Sequence, residues 1–338
     1  MKTVAQLEEA LSRPTPADVR ALGELEGDLL ILGPSGKMGP SLGALTRRAS
    51  DEAGSKRRII GAARFSSEQA RAQLEDCGVE TLRCDLLNRA EVESLPNCPN
   101  VLYMVGQKFG TSGNQPLTWA INSYAPGVVA EKFKDSKIVA FSTGNVYPLT
   151  PVSSGGPAES DPVGPVGEYA QSALARERVF SYFSHLNQTP MAILRLNYAI
   201  DLRYGVLRDI ADQVYSGRPI DLSTGHANVI WQRDANSVAL RAFSRCASPP
   251  FVLNLTGAET ISVRSVAQEF GQLFGCEPSF AGVEADTALL SNAALCHDIF
   301  EPETVSLDEM IRWTVDWVRE GGDSLGKPTH FQEREGTF

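Results

Sequence analysis

Cysteine and histidine are scarce in this sequence, and those present are scattered. Only four histidines occur in 338 residues, and no CxxC pair exists among the six cysteines, at positions 77, 84, 98, 246, 276 and 296. Metal sites in proteins take such ligands at short, regular spacings. The sequence therefore predicts no metal site, and we interpret the cysteines as reduced thiols that pack within the protein.

Long hydrophobic runs are also lacking. Nowhere do 18 consecutive apolar residues occur, and the opening MKTVAQLEEALSRP carries acidic side chains but no apolar stretch typical of a signal peptide. We therefore expect neither a membrane-spanning helix nor a secretion signal in this sequence. We therefore expect a cytoplasmic protein.

Positive charge is in deficit. The chain has 31 Lys and Arg residues against 41 Asp and Glu, which gives a net charge of −10. A negative protein is repelled by phosphate backbones and by anionic lipid surfaces, so we expect neither nucleic acid nor a membrane as partner. The hydrophobic fraction of 42% and the charged fraction of 21% are ordinary for a globular protein. A small molecule is the expected partner.

Short apolar runs alternate with helical stretches over the first 200 residues. We predict six strands, at residues 28–33, 57–64, 79–85, 100–106, 136–142 and 191–197. Strands that alternate with helices are typical of right-handed βαβ units, so the fold class is predicted to be α/β, with a Rossmann-type doubly wound parallel sheet. In such a sheet the ligand binds outside the carboxyl ends of the strands.

A glycine-rich turn, GPSGKMG, follows the first strand and precedes a helix. Gly33 permits the tight turn, Gly36 lets the backbone approach a pyrophosphate, and Gly39 lets the helix pack against the sheet. Unpaired N–H groups and the helix dipole favour an anion there. The turn predicts a dinucleotide site, and its other cofactor-binding candidates are Ser35, Lys37 and Met38.

The ends of the second and third strands bear on the type of dinucleotide. The second strand ends in GAARFSS, which has no acid for a ribose 2′-hydroxyl but offers Arg64 beside two serines. We therefore expect NADP, with NAD as the other possibility; a solvated strand-end charge is the alternative interpretation of Arg64. The third strand ends in CDLL, where Asp85 and Leu86 are expected to meet the adenine.

In this order, GPSGKMG, CDLL, FSTGNVY and EYAQSALARE resemble the extended branch of the short-chain dehydrogenase/reductase superfamily, the NAD(P)-dependent epimerase/dehydratase family, over about residues 28–320. The resemblance implies reversible hydride transfer at a carbonyl or hydroxyl carbon of a sugar, sugar acid or similar small polyol. The function would be that of an oxidoreductase or epimerase. The alternative is a catalytically impaired dinucleotide-binding sensor or scaffold.

The resemblance also implies roles for individual residues. Tyr169 matches the catalytic acid/base, which also meets the cofactor, and Thr143 matches the residue that holds the substrate oxygen. Taken without the resemblance, a tyrosine in the position of Tyr169 is most often a core ring, and Thr143 could merely cap the strand end. Further positions implied are Val105 and Gly106 behind the cofactor, the buried Asn122, and the substrate-binding Asn145 and Asn197.

Two departures from the family pattern stand out. The lysine four residues after the tyrosine is Ala173, although a cation near a tyrosine favours its phenolate. Lys108, in GQKFGT, is the candidate to supply that charge or to hold an anionic substrate group; the alternative is a solvated loop lysine. Arg176 is expected to lie too far from Tyr169. The arginine that clamps a sugar nucleotide's diphosphate is replaced by Ala227, with Arg233 farther along.

The expected organisation has four parts. These are an N-terminal helical extension (1–27), a nucleotide-binding domain (28–198, to which 222–257 return), a smaller, mostly α-helical substrate lobe (199–221 and 258–320), and a tail (321–338) expected on the surface. The loop 152–165, rich in Gly, Pro and Ser, is either a flap over the site or a solvated loop. A homodimer through the long paired helices is expected.

Overall fold

A seven-stranded parallel sheet organises the computed structural model, which describes residues 1–108 and 113–337. The order across the sheet is β3-β2-β1-β4-β5-β6-β7, with every neighbouring pair parallel. The strands are β1 (Leu29–Leu32), β2 (Ile59–Ala63), β3 (Glu80–Arg83), β4 (Asn100–Tyr103), β5 (Lys137–Thr143), β6 (Met191–Leu196) and β7 (Phe251–Leu255). The predicted Rossmann-type α/β fold is confirmed.

Helices connect the strands and cover both faces of the sheet. They are α1 (Val4–Ser12), α2 (Pro16–Glu24), α3 (Gly39–Glu52), α4 (Glu68–Asp76), α5 (Arg89–Ser94), α6 (Gln115–Trp119), α7 (Ala125–Lys132), α8 (Gly167–Asn187), α9 (Val206–Tyr215), α10 (Gln232–Arg241), α11 (Val263–Phe274), α12 (Ala294–Phe300) and α13 (Leu307–Arg319). All residues of β1 and β4 are buried, as expected for strands covered on both sides.

Short two-residue strands hold the C-terminal part together outside the main sheet. Ala199–Ile200 pairs with Ile230–Trp231, His226–Ala227 with Ile261–Ser262, Ile220–Asp221 with Phe280–Ala281, and Thr150–Pro151 with Thr287–Ala288.

Between α6 and α7 the chain forms a turn of π-helix, Ala120–Tyr124. The N–H of Ala125 donates to the carbonyl of Ala120, five residues back. Pro126 has no N–H to offer the carbonyl of Asn122, and its ring would clash with that carbonyl in a regular helix. The wider turn avoids the clash and presents Asn122 to the interior, where it is fully buried.

The N-terminal helices are part of the core. Leu7 and Leu11 of α1 are fully buried with residues of α9, α11 and α13, and Leu22 of α2 is buried with residues of the sheet. Thr15 and Asp18 form a capping box at the start of α2. The predicted extension is therefore helical, and its apolar face is packed against the rest of the chain.

The tail is largely exposed, as expected from its polar composition, but two of its side chains insert into the protein. Thr329 and Phe331 are only 1% and 3% exposed. The backbone N–H of Thr329 donates to Asp209 of α9 over 2.8 Å, and Arg334 donates to the carbonyl of Thr287 over 2.8 Å. Long-range hydrogen bonds that involve charged side chains therefore fix this part of the tail to the protein, although its polar composition predicted a solvated segment.

Among the described residues, no helix combines the length and apolar composition that crossing a membrane requires.

Candidate active site

Two adjoining cavities lie along the carboxyl ends of the strands. One, here the Arg64 cavity, has a volume of about 200 Å³ and extends over β2 and β3. The other, the Tyr169 cavity, has a volume of about 310 Å³ and extends toward β5, β6 and α9. Gly33, Gly36, Met104 and Gly106 line both. The predicted ligand-binding edge of the sheet is thus a continuous cleft.

The glycine turn between β1 and α3 forms the floor where the cavities meet. A Cβ atom at Gly33, which has a φ of +86°, would lie 2.5 Å from Val105 Cγ2. At Gly39 it would lie 1.9 Å from the Pro34 carbonyl oxygen, whereas at Gly36 the nearest atom, the Gly33 carbonyl oxygen, would be 3.7 Å away. Gly39 is therefore fixed by packing, while the missing side chain of Gly36 leaves open space in the cleft.

The Arg64 cavity brings together the residues predicted to meet the adenosine half of a dinucleotide. Arg64 and Ser66 follow β2, and Asp85 and Leu86 follow β3. Ser35 and Val105 also line it. Ser67 instead caps α4, because its side chain accepts from the Ala70 N–H. Asp85 shapes its own turn by accepting the N–H of Leu87 over 3.0 Å.

The Tyr169 cavity gathers the predicted catalytic and substrate-binding residues. Tyr169, in the first turn of α8, and Thr143, at the end of β5, are 9% and 7% exposed. Thr143 Oγ1 donates to Asn145 Oδ1 over 3.0 Å and accepts the Asn145 N–H over 3.2 Å, so it also caps the following turn. Lining residues from these predictions are Met38, Lys108, Thr143, Asn145, Tyr169 and Asn197.

Two tyrosines that the sequence did not single out face the same cavity. Tyr198 lies two residues after the end of β6, and Tyr204 lies just before α9. Burial raises the pKa of both phenols, and the charge of an ionised Tyr169 would raise each further. Two further tyrosine rings thus line the cavity that contains Tyr169. In the sequence, only the position of Tyr198 directly after RLN could have indicated this.

Lys37 belongs to the glycine turn, but its side chain leaves that turn. Its Nζ donates to the carbonyl of Ala199 over 2.6 Å and lies 3.9 Å from the centroid of the Tyr204 ring. Desolvation lowers the pKa of this lysine to about 7. The ammonium group therefore lies at the wall beyond β6, whereas its position in the turn predicted a place beside the cofactor.

Lys108 approaches the same region from the end of β4. Its Nζ donates to the carbonyl of Thr329 over 3.3 Å and lies 5.9 Å from the centroid of the Tyr198 ring. Desolvation lowers its pKa to about 8. Lys108 is therefore not a solvated loop lysine. The rest of GQKFGT, residues 109–111, lies outside the described residues.

Arg176, which the sequence predicted to lie too far from Tyr169, lines the same cavity as Tyr169. It is 4% exposed, donates to Asn122 Oδ1 over 2.8 Å, and donates to the carbonyl of Phe141 over 3.0 Å. Its guanidinium also lies against Gly106, since a Cβ there would be 2.7 Å from Nη2. Seven residues separate Arg176 from Tyr169 along α8, which is nearly two helical turns, and both side chains line the same cavity.

Two predicted cofactor-binding residues lie behind the cavities rather than in their lining. Gly39 packs against Pro34, and Asn122 bonds Arg176, Ser172 and the backbone of Gln107. Asn122 therefore holds the guanidinium in place. Ala173 is fully buried beside Val146 and Tyr147.

The positions implied for a diphosphate clamp do not reach the cleft. Ala227 is 1% exposed, and Arg233 pairs with Asp234 at 3.1 Å beside a groove lined by α1 residues. Burial raises the pKa of Asp234 to about 6, against the opposing effect of Arg233. The loop 152–165 packs through Pro157 and Glu159 on Asn254, and no residue of it is among the described lining of either cavity.

Within residues 1–108 and 113–337, no group of three or more His, Cys, Asp or Glu side chains could hold a metal ion.

The sequence model of the NAD dependent epimerase/dehydratase family matches residues 29–203. This range contains the glycine turn, both predicted strand-end motifs and Tyr169. Among curated protein sequences, none matches the chain at a significant level.

Solved structures share the fold at low sequence identity. The UDP-glucuronic acid 4-epimerase from Bacillus cereus, in complex with UDP-glucuronic acid and NAD, has 16% identity and a TM-score of 0.71, covering 87% of this chain and 99% of that chain. The UDP-Glc/GlcNAc 4-epimerase from Campylobacter jejuni has 20% identity and a TM-score of 0.69, covering 87% and 100%. The UDP-glucose 4-epimerase from Thermotoga maritima, with UDP-glucose, has 15% identity and a TM-score of 0.69, covering 87% and 99%.

Proposed function

The chain belongs to the NAD dependent epimerase/dehydratase family, and we propose that it is an NADP-dependent oxidoreductase or epimerase. It would act on a carbonyl or hydroxyl carbon of a sugar, sugar acid or similar small polyol. One observation carries this proposal: Tyr169, Thr143 and Asn197 line a single cavity that opens onto the glycine turn. A cleft with convergent polar groups beside a dinucleotide turn fits such an enzyme better than a pure binding module.

The residues of the cleft fit a dinucleotide. Gly36 leaves room for a pyrophosphate at the start of α3, where backbone N–H groups favour an anion. Membership of the family and the NAD in the Bacillus cereus structure support a nicotinamide cofactor. Arg64 and Ser66, which follow β2, favour NADP over NAD. A cation at this position attracts the 2′-phosphate of NADP, whereas an acid there would repel it.

The chemistry proposed for the chain is proton transfer at the reacting oxygen. A nicotinamide cofactor, when bound, supplies or accepts the hydride. The Tyr169 hydroxyl gives a proton to the substrate oxygen in reduction and takes one in oxidation. Thr143 holds the same oxygen once its hydroxyl turns from Asn145 toward the substrate. Asn145 and Asn197 orient the substrate's other hydroxyl groups.

Arg176 is proposed to supply the positive charge that Ala173 cannot. Its guanidinium is fixed by Asn122 Oδ1 and the Phe141 carbonyl and lies against Gly106, at the cofactor side of the cavity. Arginine stays charged at every pH relevant here. We treat it as a positioning residue, which acts through Tyr169 and the bound cofactor. Lys108 remains the other proposed source of charge, from the opposite side.

A second candidate function is a dinucleotide-binding sensor or scaffold, which Ala173 favours. The two functions are separated by titrating the purified protein with NADPH and NADP, then screening polyols, sugars and sugar acids for change at the reduced-nicotinamide absorbance band. An oxidoreductase turns over at least one compound, and Tyr169→Phe abolishes that turnover. Cofactor binding without any turnover supports the sensor instead.

A homodimer is proposed through the outer face of α7 and α8, which pack on each other. Tyr182 and Leu186 stand one turn apart on α8 and are 62% and 59% exposed, and Tyr124 nearby is 50% exposed. Light scattering of the wild type against Tyr182→Glu tests this surface.

A further inference from the structure

A further cavity, here the Arg241 cavity, lies at the edge of the sheet opposite the cleft. It has a volume of about 370 Å³ and is lined by residues of α2, α12, the start of β5 and the end of α10. Lys137, which begins β5, lines this cavity, whereas Thr143, which ends β5, lines the Tyr169 cavity. The seven residues of β5 span about 20 Å, so the two sites are well separated.

The lining of the Arg241 cavity is positive, although the whole chain carries a net charge of −10. Its described residues include one carboxylate, Glu24, against four cations, which are Arg20, Lys137, Arg241 and Arg245. Within residues 1–108 and 113–337, none of the four cations belongs to an ion pair. A concave surface with one sign of charge concentrates ligands of the opposite sign.

Two helix ends offset part of this charge. The last residue of α2 is Glu24 and that of α10 is Arg241, and each C-terminus carries about half a negative charge from the helix dipole. At the end of α2, Arg57 already donates to the carbonyls of Leu22 and Leu25. The two helix ends and the Glu24 carboxylate together offset about two of the four positive charges. The remaining charge matches that of a dianion.

The side chain of Arg241 is held in place at this cavity. Its guanidinium donates to the carbonyl of Phe300 and lies 5.4 Å from the centroid of the Phe300 ring. The carbonyl takes one of the five guanidinium donors. Burial lowers the pKa of this arginine against the attraction of Asp18, and the nearby charge of Arg20 lowers it further. An anion in the cavity would favour the charged form.

The floor of the Arg241 cavity is apolar and firmly packed. Leu25, Leu240, Phe243 and Phe300 line it, and each is at most 8% exposed. All four belong to the main hydrophobic core of the sheet, so the floor keeps its shape. Three of the four cations are arginines, whose planar guanidinium groups pair with two phosphate oxygens at once. A volume of about 370 Å³ suits a small molecule.

We propose that the Arg241 cavity is a second ligand site, which binds a small compound that carries a phosphate or diphosphate group. The phosphoryl oxygens bind the cations of the lining, and the organic part of the ligand packs on the apolar floor. Because the site lies at the other edge of the sheet, it holds its ligand together with the cofactor. The proposal does not depend on the proposed function.

The test is calorimetric titration of the wild type with inorganic phosphate, pyrophosphate, glucose 6-phosphate and glucose. All titrations use one ionic strength, because salt screens exposed charges. We expect one phosphate compound to bind per chain, about tenfold or more tightly than the uncharged glucose. Comparison of glucose 6-phosphate with the two inorganic ions distinguishes an organic phosphate from a free one. With saturating NADPH present, the affinity should change by no more than a few-fold.

Variants locate the bound phosphate. Arg20→Gln, Lys137→Gln and Arg245→Gln each alter an exposed cation, so the proteins should fold normally, and each should weaken binding by about fivefold or more. Lys327→Gln makes the same change in net charge at an exposed tail residue, two positions before Thr329 of the Tyr169 cavity. This control should bind phosphate as the wild type does. Thermal melts confirm that all four variants are folded.

Three results would overturn the proposal. The first is a folded wild type that binds none of the phosphate compounds more tightly than glucose. The second is loss of the binding when NADPH is added, which would place the phosphate at the glycine turn. The third is an affinity that the three glutamine variants leave unchanged, or that Lys327→Gln lowers equally. A wild type that does not bind NADPH contradicts the proposed function alone, since the variants still locate the phosphate.

Discussion

The two cavities of the cleft are assembled from different parts of the chain. Every described residue of the Arg64 cavity comes from the first 125 residues, most of them from the ends of successive strands or from the loops that follow. The Tyr169 cavity combines residues from Gly33 to Thr329. The chemical properties of the Tyr169 cavity therefore depend on side chains that come together only after the chain has folded. The first cavity contains the residues predicted to bind the adenosine half of a dinucleotide, and the second contains the predicted catalytic and substrate-binding residues.

This difference indicates which properties the chain shares with its family and which are its own. The Arg64 cavity contains the glycine turn and the strand-end residues expected for a dinucleotide. The Tyr169 cavity is lined by Lys37, Lys108 and Arg176. Ala173, which the resemblance places where the family has a lysine, is fully buried beside Val146 and Tyr147. The cofactor is thus the shared property in our account, while the substrate and the source of positive charge are particular to this chain.

The largest expected effect is on turnover, and it tests whether Tyr169 is a catalytic residue or a ring that only packs in the cavity. Tyr169→Phe keeps the ring and removes the hydroxyl, so turnover should fall by about 10²–10⁴-fold, the usual contribution of general acid–base catalysis. The affinity for NADPH should change by no more than a few-fold, and the melting temperature by no more than a few degrees. Initial rates at saturating cofactor measure turnover, and near-normal turnover would make Tyr169 a core ring.

A matched pair of glycine variants probes the floor common to both cavities. Gly39→Ala places a Cβ 1.9 Å from the Pro34 carbonyl oxygen, so it should reduce the free energy of unfolding by about 1–3 kcal/mol. Gly36→Ala meets its nearest atom at 3.7 Å and should leave stability almost unchanged. Urea unfolding of both variants gives the comparison. Equal stabilities would show that the Gly39 backbone can move aside.

Arg64→Ala addresses the first cavity alone. If Arg64 contacts a 2′-phosphate, its loss should weaken NADPH binding by about one to two decades and leave NADH binding nearly unchanged. Parallel fluorescence titrations with the two cofactors provide the ratio. An unchanged preference would make Arg64 a solvated strand-end charge.

The smallest expected effect concerns Arg176 in the second cavity. Arg176→Lys keeps the charge and Arg176→Gln keeps hydrogen bonding without it. We expect the glutamine variant to lose about tenfold in oxidative turnover, with the basic limb of its pH–rate profile displaced to higher pH. The lysine variant should retain the wild-type profile. Thermal melts control for folding, and identical profiles in the two variants would reduce Arg176 to a structural role.

The sequence predicted the features that depend on local pattern. Strand ends, the glycine turn, Arg64 and Asp85 follow from periodicity and motif order, because each is determined within a few residues. The approach of Thr329 to Lys108 joins residues 221 positions apart, and no local pattern encodes it. Separation along α8 gave no sign that Arg176 lines the same cavity as Tyr169, because a long side chain can extend well beyond its own helical turn.

The most direct test of the central claim is NADPH binding by the wild type and by Gly36→Ala, followed by calorimetry. In our account the cleft holds one dinucleotide with its pyrophosphate at Gly36, where an added methyl group fits the empty turn but intrudes on the ligand. The wild type should bind one NADPH per chain, and Gly36→Ala should bind it about tenfold or more weakly with unchanged stability. No binding by the wild type, or equal binding by both proteins, would contradict the account.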